Sequence, residues 1–254
     1  MKAVLTVIIL QFLLIPVYYA KLITIAAPND TPPYVFEKGK DKGIHLEIIE
    51  QALAESGHTV RFIFYPWPRL PYSLQNKNVD VMIDVDQSVK SKNVYLSVPA
   101  FTFHDYAISL SARNINITSI TQLAQYRVTA FKTASIILGN KFKDIVSTAR
   151  SYDEILKHQS ALGQLLLNRT DIVVWDKYIF QHALTSQETV NNLRRLGIKT
   201  IPRLEYSNIF PKLYYYAAFK DKELRDQFNF GFNQLNNKNK INEIYDKYTA
   251  LRSK

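Results

Sequence analysis

The chain contains no cysteine. That excludes disulfides, thiolate metal sites, thiol nucleophiles and a lipid-anchored N-terminal cysteine. The formal charge is +10, yet the basic residues are scattered and no run of Lys and Arg reaches the density of a nucleic-acid patch. Nucleic acid is therefore not expected as a partner; the charge suits an acidic membrane partner or simple solvation. The five histidines, His45, His58, His104, His158 and His182, show no HExxH-type spacing, and no GxSxG is present. Hydrolase and metal chemistry are thus not expected, and nothing asks for a cofactor. His45 and His158 read as solvated helix residues. Beyond the first twenty residues, no uninterrupted apolar run approaches the roughly 18 residues of a membrane span.

Those first residues, "MKAVLTVIILQFLLIPVYYA", are of another kind. Lys2 precedes an apolar run from Ala3 to Val17, Pro16 lies near its end, and Ala20 is a small residue at a cleavage position. This is the form of a secretory signal peptide over 1–20. Tyr18 is bulky for its place before the cut, which leaves an uncleaved anchor as the alternative. An exported chain without cysteine suits a bacterial periplasm.

The remainder, in a chain of 254 residues that is 47% hydrophobic, is enough for one large domain or two smaller ones. Its pattern alternates. "KLITIAAP" (21–28) predicts a strand. "IHLEIIEQALAESG" (44–57) places Ile44, Ile48, Ile49, Ala52 and Leu53 on one helical face, with Gly57 as a stop. "TVRFIFYP" (59–66) and "VDVMIDV" (79–85) are further strands, with room for only a short helix between them because of Pro68 and Pro71. This β-α-β-α-β order predicts a parallel sheet covered by helices. A second unit follows. It has strands at 106–112, 127–132, 144–149, 170–176 and near 198–203, and helices at 118–125, 133–142 and 177–184. Ser151 and Glu154 read as a capping box for the segment running to Leu167. A last strand (212–222) and two helices, the first capped by Asp221, begin no third unit. The economical arrangement is a chain that leaves one lobe, builds a second and returns, which makes a hinge near 106–112 and 203–211.

One phrase occurs twice. "LQNKNVDVMIDVD" (74–86) and "LLNRTDIVVWD" (166–176) both run through Asn and a cation to an Asp-strand-Asp unit. The second acid, Asp84 or Asp176, falls at the carboxyl end of its strand, the edge that faces the ligand crevice in open parallel sheets. Two facing lobes would aim both acids into one cleft. The alternative is that each caps the turn or helix after it.

Four phrases carry a family resemblance: "PPYVF" (32–36) ahead of the first helix, "LQNKNVDVMI" (74–83), "NRTDIVVWD" (168–176), and the C-terminal strand-helix run over 214–248 ending "IYDKY". In order and spacing they resemble the type II periplasmic solute-binding proteins, family 3 of the bacterial extracellular solute-binding proteins, which includes the polar amino-acid receptors of ABC transporters. The resemblance implies an α/β, two-lobed fold, each lobe a mostly parallel sheet flanked by helices, joined by a two-strand hinge. Lobe one would comprise 21–107 and 208–254, and lobe two 108–207. It implies a monomer that binds a small polar solute without catalysis and docks an inner-membrane ABC permease or a sensor.

Position by position, the resemblance puts Tyr34 in the first pocket loop, Trp67 over the ligand, Lys132 as a cationic contact, and Asp176 against the ligand's ammonium. Arg69, next to Trp67, stands free to reach a carboxylate. Thr133, Ala134 and Ser135 replace the usual Gly-Thr at a helix start, where free backbone N–H groups suit an anion. One departure matters most. Amino-acid receptors carry an arginine after the third strand that grips the α-carboxylate with two parallel hydrogen bonds. Here "DVDQSVKSKNVYLSVPAF" (84–101) has none; Lys90 or Lys92 stands in its place, and Asp84 and Asp86 replace small residues. Lysine does not reproduce the arginine fork. The expected ligand is amine-containing and does not require a standard α-amino-acid head. Alternatives are a ligand-sensing partner of a membrane receptor, and an enzyme like the cyclohexadienyl dehydratases; the acids suit the dianionic substrate of the latter poorly.

Overall fold

The structure, a computed structural model, describes residues 20–250 apart from 30, 90–92, 196 and 199. The apolar segment over 1–19 and the candidates Lys90 and Lys92 therefore lie outside the described residues. Among the described residues no helix is long and apolar enough to cross a membrane.

The chain opens with β1 (Leu22–Pro28), α1 (Ile44–Ala54), β2 (Thr59–Tyr65) and a 3-10 helix at Trp67–Gln75, then β3 (Val81–Val85), β4 (Tyr95–Leu96) and β5 (Phe101–Phe103). It crosses to β6 (Asp105–Leu110), β7 (Arg127–Phe131), α2 (Ala134–Ile137), α3 (Gly139–Ser147), β8 (Ser151–Ile155), α4 (His158–Leu166), β9 (Ile172–Asp176), α5 (Lys177–Thr185), α6 (Gln187–Arg195) and β10 (Leu204–Ser207). It returns as β11 (Leu213–Phe219), α7 (Lys222–Asn237) and α8 (Lys240–Thr249). Two sheets result, one ordered β2-β1-β3-β11-β4 with β5 on β11, the other β10-β6-β9-β7-β8. Pairs β1–β2, β1–β3, β7–β8 and β7–β9 are parallel, while β11, β6 and β10 run antiparallel to their neighbours. The molecule is two-lobed α/β.

Three sequence expectations fail locally. "DIVSTA" is not a strand; α3 runs through it to Ser147. Phe142 and Val146, one helical turn apart, are buried in the lobe-two core, and that helical spacing overrides the β-branched composition. Ser151 and Glu154 form no capping box, because Ser151–Ile155 is itself the edge strand β8, and α4 starts at His158. The strand placed near 198–203 is β10, at Leu204–Ser207.

Packing in lobe one depends on two glycines. A Cβ on Gly231 would lie 1.9 Å from the Ala52 carbonyl oxygen, so α7 crosses α1 at backbone contact. Gly43 has φ +101°, and a Cβ there would meet Tyr34 O at 2.4 Å. The tight approach lets Ile44 N and His45 N donate to Pro33 O and Tyr34 O at 3.0 Å each. The first loop is thus folded onto the start of α1, and this fixes Tyr34.

Candidate functional site

The repeated phrase is resolved into two different uses. The first acids are structural in both lobes. Asp80 accepts from Thr24 N of β1 at 2.8 Å. Asp171 accepts from Arg127 N of β7 at 2.9 Å and pairs with the Arg127 and Arg113 guanidinium groups at 2.7 and 2.6 Å. The hydrogen bond from the Arg127 side chain, outweighing burial, brings the Asp171 carboxyl down to about 2. Each first acid ties the start of its strand to a neighbour.

The second acids diverge. Val81 and Ile83 pack on the α1 face of the sheet and Met82 on the other. Asp84 breaks the alternation with φ 58°, opposite a register shift in β11. Val85 consequently shares the face of Met82, and the Asp84 carboxylate turns toward α1. There it lies 2.8 Å from His45 Nδ1, both side chains being wholly buried. Their alignment falls outside hydrogen-bond geometry, so the contact is a close polar approach rather than a directed bond. This corrects two expectations. Asp84 does not stand open in a cleft, and His45 is not a solvated helix residue. The left-handed backbone at Asp84 is what sequence alternation missed.

Asp176 does reach the seam between the lobes. It is 3% exposed. It caps α5, its Oδ1 accepting from Tyr178 N and Ile179 N at 2.9 Å each. Its Oδ2 accepts from His104 N at 2.7 Å and from the hydroxyl of Tyr34 at 2.9 Å. Tyr34 belongs to lobe one, so this last bond crosses the seam. Four donors fill the four lone-pair positions of one carboxylate. Burial raises the Asp176 carboxyl above its ordinary value, against the lowering effect of those bonds. Burial, then the nearby Asp176 charge, pushes the Tyr34 hydroxyl well up. Asp105 is the register partner of Asp176 across β6 and β9 and is also buried. Desolvation first and Asp176 second raise its carboxyl well above the usual range. Asp105 gives little sequence signal, lying just before the apolar run that marks its strand.

Aromatic rings surround these acids. Phe103 lies 4.6 Å from Tyr34, 5.1 Å from His45, 5.2 Å from Tyr215 and 6.5 Å from Trp67, centroid to centroid. Trp67 is 41% exposed, and Arg69, on the same 3-10 turn, is exposed. In lobe two, Lys132 and Thr133 are exposed and Ser135 is half-buried. The backbone N–H groups of Thr133 and Ser135 are not free, as the sequence suggested. They donate to Glu154 Oε2 and Oε1, at 2.8 Å each, and Tyr152 OH donates to Oε1 at 2.8 Å. Burial raises the Glu154 carboxyl, but the bonds from Ser135, Tyr152 and Thr133 outweigh it and bring it to about 2.

The structure therefore brings together Tyr34 and Asp176, with Trp67 reaching the same ring cluster through Phe103. Thr133 and Ser135 converge on Glu154. The Thr133 hydroxyl donates to Lys132 O, while Arg69 stands exposed on its turn. A cavity of about 530 Å³ opens at the outer rim of the seam, bordered by Pro33, Phe36, Tyr178, His182 and Tyr248. Among the described residues no group of three or more metal-binding side chains is placed to hold an ion.

The sequence profile of the bacterial extracellular solute-binding proteins, family 3, matches residues 23–250. No curated protein matches the chain by sequence. Solved structures do. An amino acid ABC transporter substrate-binding protein, AbpA of Streptococcus pneumoniae bound to L-arginine, is similar at TM-score 0.63 and 17% identity, covering 90% of this chain and 94% of that one. The L-cystine solute receptor of Neisseria gonorrhoeae, in an unliganded open conformation, gives TM-score 0.63 and 15% identity over 91% and 94%. An ancestral amino acid-binding protein, a precursor of cyclohexadienyl dehydratase, gives TM-score 0.63 and 16% identity over 90% and 95%. At these identities the likeness is one of fold.

Proposed function

Because the chain belongs to family 3 of the bacterial extracellular solute-binding proteins, we propose that it captures a small, polar, amine-containing solute between its lobes in the periplasm. It hands this solute to an inner-membrane ABC permease. The single observation that carries the reading is Asp176, a buried carboxylate at the seam whose fourth donor comes from the opposite lobe. The chain crosses between its sheets at 103–105 and 207–213, and opening there withdraws Tyr34 from Asp176. An ammonium group then takes the vacated position on Oδ2, with Trp67 and Phe103 as ring faces for it. Closure is favoured because only the closed form contacts the solute from both sides. A few charged hydrogen bonds of about 1.5–3 kcal/mol each give micromolar binding, about −8 kcal/mol, after the cost of association.

Catalysis is no part of the proposal. The carboxylates Asp176 and Glu154 would repel a dianionic substrate of the prephenate kind, and dehydration additionally requires a placed proton donor.

The test is a thermal-shift screen of the purified protein against amino acids, amines and small acids, since a ligand of the folded state alone raises the melting temperature. Asp176→Asn accompanies it. Asparagine remains a good N-cap, so α5 is kept while the charge is lost. A cationic hit that disappears in the variant supports the reading. A tight, purely anionic ligand indifferent to the substitution refutes it.

A further inference from the structure

The loop after β7 already receives a carboxylate from within the chain. Lys132, Thr133 and Ser135 follow β7, which pairs in parallel with β9 on one side and β8 on the other. In register, Ala130 is level with Val174 of β9 and with Glu154 of β8. The carboxyl ends of all three strands, and so Asp176 and Glu154, lie on one edge of the sheet. Glu154 places one oxygen on Thr133 N and the other on Ser135 N, at 2.8 Å each, and Tyr152 holds it from behind. This is how a loop would receive the carboxylate of a ligand, and the chain supplies that carboxylate itself.

Part of the surrounding charge is already committed. Asp105 is buried beside Asp176, and His45, the basic group of the ring cluster, faces Asp84. Arg113 and Arg127 are engaged by Asp171 at the opposite end of β9.

We infer that Glu154 is a specificity-determining residue, a built-in carboxylate that excludes solutes bearing an α-carboxylate. The solute class is then a small amine, diamine or guanidine without a carboxyl group. The inference rests on the reading that the solute is held at Asp176. An α-amino acid bound there would lose water from its carboxylate, find the convergent amides taken, and face the Glu154 charge. Its decarboxylated counterpart meets none of these costs.

The experiment uses matched pairs that differ only in that group: arginine and agmatine, lysine and cadaverine, ornithine and putrescine. Binding of each to the purified protein is measured by calorimetry, beside the variants Glu154→Gln and Glu154→Ala. Expected is a preference of about tenfold or more for the decarboxylated member of at least one pair. Glu154→Gln keeps an acceptor oxygen and drops the charge, so the preference shrinks while affinity for the amine holds. Glu154→Ala guards against a glutamine that merely repeats the contact. The inference is overturned where no pair shows that preference, and equally where the preference is unchanged in both variants. Absence of binding by all six compounds overturns it too. The reading of an amine-containing solute then stands or falls separately, on whether any other amine in the thermal-shift screen stabilises the protein and ceases to do so in Asp176→Asn.

Discussion

Tyr34→Phe removes a single oxygen from the seam and leaves the ring. The ring packs against His45 at 4.5 Å and Phe103 at 4.6 Å, and those contacts are kept. What is lost is the donor to Asp176 Oδ2 at 2.9 Å. A buried hydrogen bond to a charged acceptor contributes about 1.5–3 kcal/mol. Removing it leaves the carboxylate with three donors, all backbone N–H groups, in a site where burial already disfavours its charge. For a chain of this size that loss corresponds to a melting temperature lower by roughly 3–12 °C. Because the bond joins the lobes, a second effect follows: the free protein should spend more time open and show a larger radius of gyration in X-ray scattering.

Urea denaturation of wild type, Tyr34→Phe, Asp176→Asn and the double variant measures the coupling directly. A coupling energy on the order of 1–2 kcal/mol is expected, within the range for residues in contact. A coupling within about 0.3 kcal/mol of zero would refute the bond as a source of stability. Unchanged scattering with a clear loss of stability would refute the interlobe latch while leaving the local bond intact.

The remaining predictions concern the frame. Gly231→Ala forces a Cβ to 1.9 Å from Ala52 O and should cost about 3 kcal/mol or more in urea melts, since neither helix backbone can yield cheaply. His45→Leu takes the polar neighbour from the buried Asp84 side chain and should cost about 1–3 kcal/mol; adding Asp84→Asn should recover part of it. Asp171→Asn should flatten the acid limb of the stability profile. The Asp171 carboxyl falls from 3.8 to about 2 on folding, so its contribution is present above about pH 4 and lost as pH drops toward 2. The wild-type advantage from this group is on the order of 2 kcal/mol at neutral pH.

The frame was legible because it depends on periodicity. The helical face of α1 and the apolar cores of β3 and β9 are written in spacing, and the order of strands and helices implies the parallel pairs. Asp221 was legible as a cap for the same reason, and it accepts from Glu223 N and Leu224 N at 2.7 and 3.1 Å. β8 was not, because "SYDEI" combines an N-cap residue with an acid three positions on. That pattern is equally that of an edge strand with an exposed acidic face. Read as a capping box, the pattern puts Glu154 at a helix start, and its seat on Thr133 and Ser135 leaves no mark in the sequence. The burial of His45 is not legible because Asp84 reaches it only through a left-handed backbone turn.

The two copies of the Asp-strand-Asp phrase show how like sequences come to unlike use. Both first acids secure a backbone N–H on an adjoining strand, a task set by the sheet itself and independent of what lies beyond its edge. The second acids stand at the carboxyl ends of their strands, where the course of the backbone beyond them decides. At Asp176 the chain enters α5, and capping fixes Oδ1 on two amides, which leaves Oδ2 to look across the seam. At Asp84 no helix follows, the backbone turns left-handed, and the carboxylate folds back onto His45. The consequence is directional. Lobe two presents a capped and oriented acid, whereas lobe one withdraws its own and presents the hydroxyl of Tyr34. A solute competing with that hydroxyl must donate to Oδ2, so a neutral acceptor or an anion has nothing to gain by opening the seam.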